Sequence, residues 1–236
     1  MKNILFLFTI LLCVFGCSDE VRFSDPGFQA NKNNQVWQSN DITAFKDANG
    51  VLTITANSDA DGSIILKTAS SAKGKYILGT ANSNNKATHN IALSSGLIYV
   101  FDTSPIKGPA AAISTLFSGG TAYTATTSAA TTTTGIGSGL TVATTVSAGS
   151  VASATILSPG NNYLTGDLIT ISGGNNFANF SVLNVEGSNG EIIISDSSNG
   201  TVSGTFQFNA QGATANPNGS QNVGFQKGNF YRIPVK

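Results

Sequence analysis

One short run of the chain has the residue types and spacing of a calcium-binding loop. Asn57, Asp59 and Asp61 place side-chain oxygens at alternate positions, and Gly62 follows where such a loop turns. The twelfth position is Thr68, where a bidentate Glu would be expected, and the pattern predicts no flanking helices. A solvated β-turn with acidic residues explains the same letters. Calcium held by Asn57, Asp59 and Asp61 is therefore one hypothesis and a turn is the other, and no further cofactor is predicted.

The residue types that enzymes use most often are scarce. His89 is the only histidine, and its surroundings, KATHNIAL, predict an exposed loop residue at the start of a strand. The chain has no G-x-S-x-G elbow, and the glycines of residues 135–139 lack the third glycine of a dinucleotide fingerprint and precede a strand. A glycan hydrolase would need two carboxylates in one cleft, for which Asp102, Asp167 and Glu191 are the remaining candidates. We therefore expect a protein that is not an enzyme and has no catalytic residue.

The sequence indicates its clearest chemistry at Cys17. A positively charged start is followed by an apolar run over residues 4–15, which is too short to span a bilayer but suits the core of a signal peptide. Gly16 supplies the small residue expected before a cleavage site, and a cysteine thiolate is nucleophilic enough to accept a lipid. The pattern resembles the lipobox of bacterial lipoproteins. This resemblance implies a signal peptide over residues 1–16 and lipidation of Cys17, while an ordinary secretory signal or an uncleaved apolar anchor stays open.

The composition fits an exported protein. Cys13 would be lost with the signal peptide, so Cys17 would be the only cysteine left and no intrachain disulfide could form. Residues 17–27 are interpreted as a tether that keeps the following domain close to the membrane. Charged residues make up 10% of the chain and the formal net charge is +0, so nucleic acid is not expected as a partner.

The remaining sequence predicts an all-β fold. Asn49 and Gly50 lie between two alternating runs and are typical of a hairpin turn, and further short runs of the same kind follow at glycine-rich turns. Residues 108–117 are the single candidate for a short helix. We predict an antiparallel sandwich- or barrel-like domain that is interrupted by a small β-rich insertion.

The predicted insertion covers residues 119–184, which are rich in Thr, Ala, Gly and Ser and contain one charged residue. Its glycine pattern resembles a β-module of phage and virion structural proteins. The resemblance rests on GSG at residues 137–139, on GSV at residues 149–151, and on a GxxYxxGDxITI run over residues 160–171. It implies a separately folded β-module, and low-complexity drift in a long loop is the alternative.

The parts on either side of this segment resemble a different group of proteins. SGTFQFNA and GNFYRIPV near the C-terminus, and F-x-A-N, V-W and A-F near residues 28–45, are similar to an uncharacterised family of Bacteroidota (flavobacterial-type) lipoproteins with a domain of unknown function. The resemblance covers residues 28–106 and 187–236. It implies one β-domain in two parts, residues 28–118 and 185–236, at the outer membrane on its periplasmic or surface-exposed face.

The patterns predict a location more clearly than an activity. We expect a membrane-anchored lipoprotein that acts as a non-catalytic binding or adhesion module of the cell envelope, with the membrane as one partner and an envelope protein or a glycan as another. A structural or envelope-maintenance lipoprotein without a soluble ligand is the alternative, and a hydrolase acting on glycans is less favoured. Trp37, Tyr76, Tyr99 and Phe101 are interpreted either as a sugar-binding face or as core residues.

The last strand decides whether the two outer parts form one domain. Tyr231, Ile233 and Val235 alternate along it with Arg232 and Pro234, so the former three are predicted to form the buried face. Pro234 predicts an edge position, because proline has no N–H to donate. We expect this strand to close the sheet against a strand of the first part.

Overall fold

A computed structural model describes residues 25, 27–93, 95–213 and 219–236. These residues form seventeen β-strands and no helix, so the predicted all-β class is confirmed. The strands are β1 (Gly27–Lys32), β2 (Gln35–Ser39), β3 (Asp41–Lys46), β4 (Leu52–Ser58), β5 (Gly62–Thr68), β6 (Gly74–Leu78), β7 (Lys86–Ala92), β8 (Ile98–Asp102), β9 (Ala110–Ile113), β10 (Thr126–Thr133), β11 (Ser138–Ser147), β12 (Ser150–Asn161), β13 (Leu168–Ile171), β14 (Asn179–Val185), β15 (Asn189–Ser198), β16 (Thr201–Gly212) and β17 (Asn222–Pro234).

The larger of two sheets has eleven strands. Nine follow the order β2-β1-β17-β16-β8-β7-β5-β4-β3, while β15 pairs with β16 and β6 pairs with β15. The sheet curls back on itself, because the Lys236 N–H donates to the Ala44 carbonyl at 2.9 Å and the Lys46 N–H donates to the Lys236 carbonyl at 3.1 Å. We call this nearly closed sheet, built from β1–β8 and β15–β17, the first barrel.

Local sequence explains the strands that form this sheet. Leu52, Ile54 and Ala56 alternate with polar residues along β4, and all three are buried, as a half-buried strand requires. The hairpin before it is confirmed: the Asp47 carboxylate accepts the Val51 N–H at 2.9 Å, and Gly50 supplies a φ of 85°. The same alternation places the remaining apolar side chains inside the barrel.

Aromatic side chains fill much of the first barrel. Phe206 lies 5.0 Å from Phe28 between ring centroids, and Phe208 lies 4.9 Å from Phe225. All four are at most 2% exposed. Because each large buried side chain contributes roughly 1.5–3 kcal/mol, this cluster supplies a substantial part of the barrel's stability.

The smaller sheet has six strands in the order β12-β11-β10-β13-β14-β9, and β12 approaches β9 so that it too is nearly closed. We call it the second barrel. Its core is centred on Tyr163, which is 1% exposed and whose hydroxyl accepts the Leu140 N–H at 3.2 Å. A Cβ at Gly137 would lie 2.2 Å from the Tyr163 ring, so this position has no room for a side chain. The strands fall within residues 110–185, and whether residues 119–184 form a separable domain stays a prediction.

The helix predicted over residues 108–117 is wrong. Residues 110–113 form β9, in which Ala110 pairs with Val185 of β14 and is 2% exposed. A helix of ten residues is marginal by itself, so a strand that completes a sheet overrides the helix propensity of its alanines.

Three side chains tie the two barrels together at their junction. Thr165 donates to the Gly79 carbonyl at 2.8 Å, and Asn184 donates to the Leu78 carbonyl at 3.0 Å. Ser188 donates to the Ser104 carbonyl at 2.7 Å. These bonds join the end of β6 and the segment after β8 to the β12–β13 loop, to β14 and to the segment that follows β14.

The last strand closes the first barrel as predicted, because β17 pairs with β1 of the first part and with β16. Its predicted buried face is wrong in part, since Phe230 is fully buried and Tyr231 is 43% exposed. The register shifts between Val202 and Gly204, where an extra residue of β17 forms a bulge and moves the alternation by one. β17 is an interior strand for most of its length rather than an edge strand.

Candidate functional site

A cleft of about 970 Å³ lies on the first barrel between β2 and the β4–β5 hairpin. One wall consists of residues 35–41, with residues 32 and 33 at the preceding turn, and the other consists of residues 57–61. Nearly all of these side chains are polar. The cleft is therefore a candidate site for a polar ligand.

Turn chemistry shapes both walls. Asn33 and Asn34, with φ of 50° and 65°, make the tight turn between β1 and β2, and asparagine tolerates this left-handed conformation better than most residues. Gly62 ends the opposite turn with a φ of 66°, and a Cβ there would lie 1.9 Å from the Asn90 carbonyl oxygen. The glycine of the predicted calcium loop thus has a structural reason that does not involve a metal ion.

A partly buried charged cluster lies at the base of the cleft. The Lys32 Nζ donates to the two carboxylate oxygens of Asp61 at 2.6 and 2.7 Å. The same Nζ is 3.0 Å from Nε2 of His89, whose Nδ1 is 3.1 Å from the Ser63 carbonyl oxygen. The three side chains come from β1, the β4–β5 turn and β7, so they hold three separate parts of the barrel together.

The protonation state of His89 follows from this geometry. Burial and then the nearby Lys32 charge lower the pKa of His89 to about 4, although the Asp61 charge and the hydrogen bond to Ser63 act in the opposite direction. A neutral ring can donate from Nδ1 to Ser63 and accept at Nε2 from Lys32. Both ring nitrogens are therefore engaged, and the ring is fully buried.

The indole of Trp37 forms part of the floor of the cleft. Its Nε1–H donates to the Asp61 carbonyl at 3.1 Å, and its ring packs edge-on against Phe28 at 5.8 Å and Phe225 at 6.2 Å. Trp37 is 3% exposed and lines the cleft, so it connects the cleft to the aromatic core. It is also the only tryptophan in the sequence.

A second set of bonds joins the walls at the other end. The Ser39 hydroxyl donates to the Asn57 carbonyl at 2.5 Å, and the Asn57 amide donates to an Asp41 carboxylate oxygen at 2.8 Å. The side chains of Gln38 in β2 and of Asn40 just after it are exposed. The cleft thus combines a fixed base with free amide groups at the rim, which suits the recognition of hydroxyl groups by hydrogen bonds.

Comparison with known proteins identifies the family. Residues 24–183 and residues 109–234 each match the family described as domain of unknown function DUF6252. The chain belongs to the DUF6252 family. Each match contains one part of the first barrel of this DUF6252 protein together with nearly all of the second barrel. No curated protein and no solved structure matches.

The fold brings the predicted calcium ligands to one cleft, but gives two of them other partners. Asp61 binds Lys32, and Asn57 presents its amide nitrogen to Asp41. Within the described residues, no group of three or more His, Cys, Asp or Glu side chains could hold a metal ion. Calcium at Asn57, Asp59 and Asp61 stays a prediction.

Cys17, the predicted lipidation site, lies outside the described residues. So do residues 1–16, the predicted signal peptide, and most of the tether. Across the part of the chain that is described, no helix is long and apolar enough to cross a membrane.

The three carboxylates considered for glycan hydrolysis do not share a cleft. Asp102 pairs with Lys86 at 2.6 Å; burial raises its pKa, but hydrogen bonds from Lys86 and Ser104 outweigh this and lower it. Glu191 pairs with Lys75 at 2.7 Å in another part of the first barrel. Asp167 is in the second barrel, where it accepts the Leu164 N–H at 2.9 Å.

The structure corrects one interpretation of a single residue and decides between the two interpretations given for a set of aromatic residues. The prediction that His89 is an exposed loop residue is wrong, because His89 lies inside β7 and its partners come from distant parts of the chain. Trp37, Tyr76, Tyr99 and Phe101 do not form a sugar-binding face, since Trp37 and Phe101 are buried in the core. The alternation Ala87-Thr88-His89 was the one local signal that could have placed His89 inside.

Proposed function

We propose that this DUF6252 protein is a lipid-anchored, non-catalytic binding protein of the cell envelope, with the cleft of the first barrel as its binding site. Lipidation would occur at Cys17 after removal of residues 1–16. The lipobox pattern and the resemblance to Bacteroidota lipoproteins support this part of the proposal, and the outer membrane is the location proposed with it.

The observation that carries the binding role is the polar cleft beside Trp37. Its rim offers amides from Gln35, Gln38 and Asn40, and its base is held by the pair between Lys32 and Asp61. Amide and carboxylate side chains bind hydroxyl groups both as donors and as acceptors. A neutral, hydroxyl-rich ligand, such as a segment of a glycan, therefore fits the cleft better than an apolar or strongly charged one.

The proposed role is non-catalytic because the one histidine and two of the three cleft carboxylates are engaged: Asp61 binds Lys32, and Asp41 accepts a hydrogen bond from Asn57. His89 uses both ring nitrogens inside the barrel, behind Lys32 and Asp61. Asp102, Asp167 and Glu191 are apart from the cleft and from one another. These contacts favour binding over hydrolysis.

The second barrel favours a display or adhesion role for the whole protein. Its sequence resembles modules of phage and virion structural proteins, and it carries two exposed aromatic side chains, Phe117 and Phe177, at 63% and 66% exposure. A structural envelope lipoprotein without a soluble ligand is the alternative, and an empty cleft under all tested conditions would favour it.

The fluorescence of Trp37 provides a direct test of ligand binding in the cleft, because Trp37 lines the cleft and is the only tryptophan in the sequence. Maltohexaose, cellohexaose, mannohexaose and chitohexaose would be titrated against the purified protein. We expect a saturable change in emission with at least one of them. Replacing Gln38→Ala together with Asn40→Ala should weaken binding about tenfold or more, since each hydrogen bond contributes about 0.5–1.5 kcal/mol.

Asn84→Ala is the matched control, because Asn84 is an exposed amide on the first barrel outside the cleft. It should leave the affinity unchanged. The absence of any saturable signal, by fluorescence and by titration calorimetry, would contradict a neutral glycan as the ligand. An equal loss of affinity in Asn84→Ala would contradict the cleft as its site.

A further inference from the structure

The tether joins the first barrel at a defined place. Gly27, the first residue of β1, pairs with Tyr231 of β17. Two residues before it, the Asp25 carboxylate accepts a hydrogen bond from the Arg232 guanidinium at 2.7 Å. The chain that leads back towards Cys17 therefore leaves the barrel beside Tyr231 and Arg232.

The end of β3 lies next to this place. Ala44 forms a parallel bridge with Val235, and the Lys46 N–H donates to the Lys236 carbonyl. Because Ala44 is buried, Phe45 points outward, and it is 58% exposed. Phe45 and Tyr231 are thus two exposed aromatic side chains on neighbouring strands at the tether end of the barrel.

Basic side chains accompany these two aromatic residues. Lys46, Arg232 and Lys236 are all exposed there. Three described acids lie near these side chains: Asp25 binds Arg232, one carboxylate oxygen of Asp47 accepts two backbone N–H groups of its own turn, and Asp196, which lines a pocket with Tyr231 and Arg232, accepts a hydrogen bond from Ser198. We call Phe45, Lys46, Tyr231, Arg232 and Lys236 the tether-end patch.

We propose that the tether-end patch rests on the surface of an anionic lipid bilayer, with Phe45 and Tyr231 in the interface and the basic side chains among the head groups. Aromatic side chains are favoured at the level of the head groups, and Lys and Arg are attracted to anionic lipids. This inference rests on the proposed lipidation of Cys17.

Chain length makes a bilayer the fitting occupant. Asp25 is eight positions after Cys17, so the chain between them spans at most about 26–29 Å. A lipid on Cys17 therefore keeps this end of the barrel within reach of the bilayer. The contact would add a second attachment to the acyl chains, and two weak signals together hold a protein on a membrane better than one.

Single cysteines can locate the patch, because acylation would consume Cys17 and Cys13 belongs to the predicted signal peptide. Phe45→Cys and Tyr231→Cys would be labelled with an environment-sensitive fluorophore in the acylated full-length protein. The protein would be placed in vesicles of phosphatidylethanolamine and phosphatidylglycerol that contain nitroxide-labelled lipid. Val36→Cys in the cleft and Phe117→Cys on the second barrel are controls at similarly exposed sites.

We expect the nitroxide lipid to quench the labels at positions 45 and 231 severalfold more than those at 36 and 117. Lys46→Glu with Lys236→Glu should reduce this quenching in anionic vesicles, whereas Lys107→Glu, an exposed lysine elsewhere, should not. Equal quenching at all four positions, or none at 45 and 231, would overturn the inference. Protein that is not retained by the vesicles at all would instead contradict the proposed anchor, so the two failures are distinguishable.

Discussion

The two barrels achieve a closed β-sheet with different side chains. The sequence has twelve Lys and Arg and twelve Asp and Glu residues, and residues 110–185 contain only Asp167 among them. The first barrel has a core rich in phenylalanine and a partly buried cluster of Lys32, Asp61 and His89. The second barrel has small and β-branched residues around Tyr163 and relies on close glycine packing.

This difference assigns separate roles to the barrels in the proposed function. The first barrel holds the cleft, the charged side chains and the junction with the tether, so it has the chemistry for ligand and membrane contact. The second barrel is nearly uncharged and contacts the first through a few bonds to backbone carbonyls. The comparison therefore predicts that removing the end of β17 destabilises the first barrel more than removing the whole second barrel does.

The largest expected effect tests this dependence. Truncating the chain after Gly228 would remove the buried side chains of Phe230 and Ile233, the pairing with β16, and the closure at Ala44. Two such side chains contribute about 3–6 kcal/mol, close to the whole stability of an ordinary domain. We expect the truncated protein to lack a cooperative thermal transition by circular dichroism.

Deleting the second barrel is the counterpart of the truncation after Gly228. The Glu186 N–H donates to the Pro109 carbonyl at 2.9 Å, so the ends of the excised segment, residues 110–185, are already adjacent. A short Gly-Ser link between them should leave the first barrel folded, with the buried emission of Trp37 retained. If the deletion variant is unfolded while the chain truncated after Gly228 stays folded, the first barrel needs the second barrel more than it needs the end of β17, and the prediction is wrong.

The next effect is a pH dependence that belongs to the first barrel. The pKa of His89 is lowered to about 4 from an ordinary value of 6.5, so between these values the unfolded chain binds a proton that the folded chain does not. His89 should therefore cost stability as the pH falls from 6.5 to about 4, by an amount on the order of 3 kcal/mol. Below pH 4 both states are protonated and this contribution no longer changes.

Urea unfolding followed by Trp37 emission, at several pH values, measures this loss. His89→Gln removes the titrating group, so the variant should lack this part of the pH dependence, and the difference in unfolding free energy between the wild type and the variant should change by an amount on the order of 3 kcal/mol over this range. The carboxylates titrate in both proteins and cancel in that difference. An unchanged pH dependence in His89→Gln would show that His89 is not the group responsible.

Local patterns predicted the strands, but contacts between distant residues determined the site. Leu52, Ile54 and Ala56 follow the period of a half-buried strand, so β4 and its hairpin could be predicted from a few neighbouring residues. The burial of His89 depends on Lys32, 57 residues away, and no local pattern contains that information. The position of Tyr231 depends on a bulge in which Arg232 has a φ of 49°, a conformation that an arginine in a sequence does not signal.

The glycines of the second barrel also show that local patterns do not reveal contacts between distant residues. The GSG and GxxYxxGD patterns indicated strands and turns, yet they did not indicate why those glycines are needed. The structure explains Gly137 by the Tyr163 ring against it, and Gly160 by the Ser138 carbonyl, which a Cβ would approach to 2.3 Å. Both contacts join residues more than twenty positions apart, so they follow from the fold rather than from the motif.

The smallest expected effect concerns Tyr163, the central side chain of the second barrel. Tyr163→Phe keeps the ring against Gly137 but removes the hydroxyl that accepts the Leu140 N–H, and it leaves that buried donor unpaired. Such a loss costs about 1–3 kcal/mol. Tyr231→Phe, at an exposed site on the first barrel, should change the stability by less than about 0.5 kcal/mol.

Hydrogen exchange at the Leu140 amide of the Tyr163→Phe variant distinguishes a local effect from a global one. If the second barrel unfolds by itself, exchange there should accelerate while Trp37 emission is unchanged. Equal acceleration in both barrels would show that they unfold as one unit, and that the bonds at Leu78, Gly79 and Ser104 couple them more strongly than their number suggests.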